Sequence, residues 1–310
     1  MANSSALQDN VTQVSTTSNK VLDSLRWTFL ALTMVGSVFL LYFSVVLLKV
    51  FLVTPQLRES ARYILFLYML INDALLLLLT IFHILGLLYL LRISVPLCYI
   101  VYAFSGITYR VTPHTLGAMA LEQYVAICHP LQHVTLCTAQ RGHLTFIIIC
   151  TYSLTLYVIE LCVMIFSFTN IFNVYVICVE ETLVVNPIQS VIRSINFILC
   201  FSSSAAIILF TYIMIMVVAK RASSQSSSAS KAGKTVMLHG FQLLLCMSSI
   251  LSSFIRQFPM KHAEYFRISN FFVFTCVPRF LSPLVYGIRD EMLRKLMKRL
   301  LTSYFSSIKI

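Results

Sequence analysis

Charge is scarce in this 310-residue chain: Asp, Glu, Lys and Arg together make up 11% of it, and only 11 residues are acidic against 23 basic. With 58% hydrophobic residues and a mean hydropathy of +0.85, the composition lies outside soluble usage and excludes a pair of water-soluble domains. Glycine and proline, eight each, are too few for collagen-like or low-complexity chains. The nine cysteines sit mostly in apolar runs, which argues against a disulfide-dense secreted scaffold. Catalytic and metal motifs are missing as well. There is no Cys-x-x-Cys, no histidine pair with a glutamate at zinc spacing, no glycine-rich phosphate loop and no nucleophile elbow. The expectation is a membrane protein that is not an enzyme, with no metal and no cofactor.

What is abundant is long apolar sequence. A bilayer-spanning helix needs about 20 mainly apolar residues, because hydrocarbon offers its backbone no hydrogen-bond partner. Seven runs qualify: 27–48, 63–91, 96–128, 142 to about 168, 194–219, 235–255 and 268–288. None alternates in the manner of a strand, and all exceed the roughly 10 residues of an outer-membrane barrel strand. The fold class is therefore an all-α, seven-helix transmembrane bundle.

Net charge is +12, which by itself would admit a nucleic-acid partner, but the basic residues are placed at helix ends. Two of the 23, Arg110 and Arg279, fall inside spans. With the N-terminus outside, seven (Lys20, Arg26, Arg92, Arg193, Arg256, Lys261 and Arg267) fall on the external side and the remaining fourteen on the cytoplasmic side. Basic residues are retained in the cytoplasm, so the asymmetry places the N-terminus outside. The Asn-x-Ser/Thr acceptors Asn3 and Asn10 lie in the polar tail this orientation exports, as glycosylation requires. No cleavable signal peptide is expected; the first span serves as insertion signal. The organisation is an extracellular tail over 1–26, a receptor-like bundle over 27–288 and a cytoplasmic segment over 289–310. In that last segment Met292, Leu293, Leu296, Met297, Leu300 and Leu301 recur at helical spacing between basic residues, an amphipathic helix suited to anionic membrane lipids. The serine-rich stretch 221–230 reads as a flexible cytoplasmic linker or as a phosphorylated regulatory loop.

Within the third span, Cys98 and Glu122 are 24 residues apart, about 36 Å of helix, so one is at the outer surface and the other at the inner. Cys178 is the one cysteine of the external loop after the fourth span, and a Cys98–Cys178 bridge would staple that loop over the bundle.

Four segments then carry a resemblance. Met119-Ala120-Leu121-Glu122-Gln123-Tyr124-Val125-Ala126-Ile127-Cys128-His129-Pro130-Leu131 is similar to the end of the third helix of odorant receptors, within rhodopsin-like G-protein-coupled receptors. Lys231-Ala232-Gly233-Lys234-Thr235-Val236-Met237-Leu238-His239 resembles the start of their sixth helix, and Ser282-Pro283-Leu284-Val285-Tyr286-Gly287-Ile288-Arg289-Asp290 the end of the seventh. Residues 58–73 fit the second. The wording of Arg62-Tyr63-Ile64-Leu65 and of Leu238-His239-Gly240-Phe241-Gln242-Leu243 is most like the odorant receptors of bony fish. The resemblance implies a multi-pass receptor of the cell membrane, a small-molecule odorant held among the outer helix halves, and a heterotrimeric G protein of the olfactory stimulatory type as partner. It implies coupling and switch roles for Glu122, Gln123, Tyr124, His239, Pro283 and Tyr286. There are departures: Gln123 stands where the family carries arginine, Ser282 replaces an asparagine, and Ser44 stands where the first helix usually has one. These leave the fold alone and bear on coupling.

Arg110, near mid-membrane, costs about 2.5–3.5 kcal/mol on insertion scales and must face the bundle. Two readings stay open: an internal salt bridge to Glu160, or a counter-ion for an anionic odorant. By the resemblance, Ser105, Gly106 and Tyr109 join it on the pocket-lining stretch, with Met247, Ile250, Phe254, Phe272 and Thr275 as weaker candidates from the sixth and seventh helices. His239 is read as a packing residue rather than a metal ligand. Asp73 and Arg279, both at depth, are expected to form an internal ion pair, directly or through water; the alternative is another acidic or carbonyl partner for Arg279. The rival readings are a non-olfactory or weakly coupling receptor of the same family and an ion or solute transporter, for which the chain shows no internal repeat.

Overall fold

The computed structural model describes residues 2–167, 174–178, 180–183, 187–222, 269, 272–281 and 295. Five long helices carry the bundle: α1 (Ala2–Val53), α3 (Ala61–Leu88), α4 (Val95–Cys128), α6 (Ala139–Ser167) and α7 (Pro187–Ala222). Two short helices, α2 (Pro55–Arg58) and α5 (Pro130–Leu136), turn the chain at what sequence reading makes the inner end. A π-helical turn, Phe272–Cys276, followed by α-helix to residue 281, represents the seventh span. The expected sixth span, residues 223–230 of the serine-rich stretch, the amphipathic segment apart from residue 295, and residues His239, Met247, Ile250, Phe254, Pro283 and Tyr286 lie outside the described residues. So do the side chains of Asn3, Asn10 and Thr275.

The apolar runs decide the spans. Asp23–Val53, Ala61–Leu88, Ala139–Phe166 and Ile188–Val218 are each long and apolar enough to cross a bilayer. α4 is long enough but carries Arg110 and Glu122, and it sits centrally, packed against α3, α6 and α7. Of these four, α3 is the most enclosed, two thirds of its apolar window being buried against about a fifth for α1 and α6. The core between them is built from Leu40, Leu65, Met69, Leu77, Leu116, Met119 and Ile208. Large apolar side chains such as Val35, Val38, Ile147 and Leu209 point outward, as on a surface solvated by lipid.

Two boundaries differ from the sequence reading. The polar tail is helical and continuous with the first span, giving a helix of 52 residues, about 78 Å long. Residues 2–22 contain neither Gly nor Pro, so nothing interrupts a helix once the membrane segment has nucleated it. The fifth span begins at Pro187 rather than 194, with proline in the first helical turn, and this takes Arg193 off the external loop and into the helix.

α3 ends in a Schellman arrangement: Leu91 N–H donates to Gly86 C=O (2.9 Å) and Leu90 N–H to Leu87 C=O (3.4 Å). Leu90 occupies the left-handed position, φ 49°, that glycine usually takes. The reversal delivers strand β1 (Arg92–Ser94), which pairs antiparallel with β2 (Tyr175–Ile177) in the register Arg92↔Ile177, Ile93↔Val176, Ser94↔Tyr175. Three-residue strands are too short to announce themselves by alternation. At the opposite end Ser60 and Thr138 form an isolated bridge, and α6 approaches α3 so closely that a Cβ on Gly142 would lie 3.0 Å from Ala61 Cα. α4 contains Pro113, which removes the amide that would bond the Tyr109 carbonyl.

Candidate functional site

Among the described residues the bundle interior holds three groups of charged side chains, strung along α4 from the outer end to the inner. In the outer group, Cys98 and Cys178 form the disulfide expected from the sequence, tying the first turn of α4 to the residue that follows β2. A disulfide persists in an oxidising compartment, so this end of α4 is extracytoplasmic; tracing back through α3 and α1 puts the N-terminus on the same side. Just below, the Tyr99 hydroxyl donates to the Tyr157 carbonyl (2.6 Å). Glu160, one helical turn past Tyr157 and completely buried, accepts from Arg193 Nε at 3.0 Å. The Arg193 guanidinium lies 4.6 Å over the Tyr102 ring.

Of the two readings left open for Arg110, the salt bridge to Glu160 is not formed. The Glu160 carboxylate goes to Arg193 of α7, not to Arg110, because the earlier start of α7 places Arg193 inside the bundle beside it. Arg110, 5% exposed, instead sets its guanidinium 4.7 Å over the Tyr157 ring. Its Nη1 has no hydrogen-bond acceptor among the described residues. The backbone carbonyl of Arg110 is held by His114 Nδ1 at 3.0 Å, and His114 lies 3.5 Å from the Cys200 sulfur of α7.

The other expected pocket residues divide. Gly106 meets the Tyr157 hydroxyl, and a Cβ there would overlap it, so this glycine serves close helix contact rather than an open wall. Ser105 is half-buried and its carbonyl accepts from the Thr108 hydroxyl at 2.8 Å. Tyr109 stacks near Phe197 and Phe201 of α7, turning away from Arg110 by the roughly 100° that separates successive helical residues. Phe272 packs its ring 4.9 Å from Phe29 of α1.

The middle group centres on Asp73, completely buried on α3. Its Oδ1 accepts from the Thr112 hydroxyl (2.7 Å) and lies 3.5 Å from Arg279 Nε, a charge contact too long for a hydrogen bond. The same Thr112 oxygen accepts from Asn72 Nδ2 (3.1 Å), whose second bond goes to the Thr108 carbonyl (2.7 Å). Arg279 lies 5.2 Å over the Tyr109 ring, so Tyr109 joins the α7 aromatics to the seventh span.

In the inner group, Glu122 is 7% exposed, and its Oε1 lies 2.7 Å from Nε2 of His133 on α5. Cys137, at the end of α5, brings its sulfur into the same cluster. Gln123 is buried beside it, uncharged. Tyr124 places its hydroxyl 3.2 Å from His129 Nε2 and its ring edge-on to Phe210 of α7.

Sequence reasoning missed Tyr157, Arg193, His133 and Cys137. Arg193 was hidden by taking the span to begin at its first unbroken apolar run. His133 and Cys137 follow Glu122 by 11 and 15 residues, a spacing that fits no ligand motif. The signal that would have found them is Pro130, a helix-starting residue directly after α4, which restarts the chain as α5 and folds it back.

A model of the 7 transmembrane receptor (rhodopsin family) matches residues 43–286. Odorant receptor 131-2 of Danio rerio is 34% identical over 219 residues, covering 68% of this chain and 66% of that relative. The spans, the bridged external loop and a family match over most of the chain agree: this is a multi-pass membrane protein, and it belongs to the rhodopsin family of seven-transmembrane receptors.

Proposed function

We propose that this receptor detects a small anionic odorant, whose carboxylate, sulfate or sulfonate meets Arg110, and that it signals through a heterotrimeric G protein of the olfactory stimulatory type. The odorant assignment draws on the similarity to Odorant receptor 131-2. The ligand charge rests on one observation. Among the described residues the three buried carboxylates, Glu160, Asp73 and Glu122, lie against Arg193, Arg279 and His133, and none of the three lies against Arg110. A ring face offsets about 2 kcal/mol of a desolvated cation's cost. An oxyanion would add a charge-assisted, geometrically matched fork, the strongest contact available to a guanidinium in a dry site. Binding at this depth, between α4, α6 and α7, biases their inner halves toward the arrangement that holds the G protein, with Glu122, Gln123 and Tyr124 at that end of α4. Residues 27–288 form the receptor body in this reading, with Asn3 and Asn10 glycosylated outside and 289–310 on the inner leaflet.

The test is the cyclic-AMP response of cells expressing Arg110→Gln against wild type, challenged with matched carboxylic acids, sulfonates, amines and alcohols. Loss of responses to the anions alone, at unchanged surface expression, is the expected outcome. Equal loss across all classes would leave Arg110 a packing residue on Tyr157, and retained responses to anions would remove it from the ligand site.

A further inference from the structure

The inner group has the composition of a metal site. Glu122, His133 and Cys137 each offer one ligand atom, and these atoms all lie within 4.8 Å of one another. From these we infer that the cytoplasmic end of α4 holds a zinc ion, bound by Glu122, His133 and Cys137 with the fourth position left to water.

Donor chemistry selects the ion. A thiolate with an imidazole and one carboxylate suits zinc, whereas calcium and magnesium take all-oxygen shells. Tetrahedral bonds of about 2.0–2.3 Å put ligand atoms about 3.3–3.8 Å apart. The cluster therefore needs a contraction on the cysteine side and a slight opening of the 2.7 Å Glu122–His133 contact. A second observation points to a ligand: Glu122 is more than nine-tenths buried, and its Oε2 has no hydrogen-bond partner among the described residues. One thiolate and one carboxylate cancel the two charges of the ion, so the loaded cluster is neutral, as a partly buried site near hydrocarbon requires. Cys137 is free, and the reducing cytosol keeps it so. Each ligand belongs to a different piece of chain: the last turns of α4, the middle of α5 and the junction leading into α6. Bound zinc would join all three.

Without metal, burial and the neighbouring Glu122 push the Cys137 thiol above its ordinary pKa, with Arg141 opposing. Binding therefore displaces a proton from sulfur.

The decisive experiment is a cobalt titration of purified full-length receptor in lipid nanodiscs. One equivalent of cobalt should produce a thiolate-to-metal charge-transfer band together with tetrahedral visible bands, and zinc should abolish both. Cys137→Ser should remove the charge-transfer band. His133→Ala should weaken binding at least tenfold, while Cys128→Ser, close in sequence but outside the cluster, should change nothing. Protection of Cys137 from maleimide by zinc, read by mass spectrometry in wild type, supplies a measurement that needs no variant. Absence of the band in folded wild type, its survival in Cys137→Ser, or unprotected alkylation would each overturn the site and leave a His133–Glu122 hydrogen bond alone.

Discussion

The two ends of α4 are held in different ways. At the outer end the Cys98–Cys178 bridge closes a loop of 80 residues, and the helix start is packed into a small core with Met164 and Leu183. By chain entropy such a closure is worth about 4–5 kcal/mol. At the inner end α5 buries no residue, and its described tie to α4 is the His133–Glu122 contact. A charge-assisted hydrogen bond contributes roughly 1.5–3 kcal/mol. The outer end is covalently fixed, whereas the inner end, packed through Met119 and Tyr124, meets α5 through a bond that a proton, a metal ion or a partner protein can exchange. Sensing needs a fixed geometry, whereas coupling needs one that gives way.

The largest expected effect comes from removing the covalent end. Cys98→Ser or Cys178→Ser should cost about 2–5 kcal/mol and sharply reduce folded receptor at the cell surface, read by antibody staining of intact cells. Normal surface levels in both variants would mean that the hairpin and core hold the loop unaided. Next is Gly106→Ala, which drives a methyl group into the Tyr157 hydroxyl. Over-packing of this kind costs about 1–3 kcal/mol, and a lowered Tm in nanodiscs would record it. Leu131→Ala on α5, where the side chain is 91% exposed, should leave Tm unchanged, so the pair of variants measures the contrast directly.

Breaking the inner tie should act on signalling more than on stability. Glu122→Gln removes the charge from the His133 contact, and we expect a severalfold rise in ligand-independent cyclic AMP. The same variant should speed maleimide labelling of Cys137 at fixed pH under metal-free conditions. Glu122 is one of the groups that push this thiol up, and a lower pKa exposes more thiolate at neutral pH. Slower labelling in Glu122→Gln would contradict that electrostatic account. A small effect of the opposite sign belongs to Leu90→Gly, at the left-handed position that closes α3. Leu90 is exposed and gives up little packing, so relief of strain should raise stability by up to about 1 kcal/mol, visible as a slight rise in Tm.

Spans were legible because burial in lipid demands unbroken apolar runs, and α3, α4 and α6 begin and end within a few residues of where those runs do. Partners of the charged residues were less so. The sequence put Arg110, Glu160, Asp73 and Arg279 at depth, but which arginine reaches Glu160 depends on helix rotation and on where α7 begins, and hydropathy encodes neither. The helical form of residues 2–22 escaped because their Ser, Thr and Asn content reads as coil, while the absence of any breaker is a silent feature. The Glu122, His133 and Cys137 cluster is long-range in register though short in sequence, created by one reversal at His129 and Pro130.

Seen as a mechanical part, α4 is a rod clamped at one end and sprung at the other, with its compliance concentrated at a known place. Pro113 lies midway between Cys98 and Cys128 and deletes one rung of the hydrogen-bond ladder, the one that would end on Tyr109. Torque applied to the side chains at Tyr109 or Arg110 therefore enters the rod at its weak section. Because the outer half is anchored by sulfur, deflection must appear at the inner tip, where about 15 residues of stiff helix below the missing rung multiply a small twist into displacement.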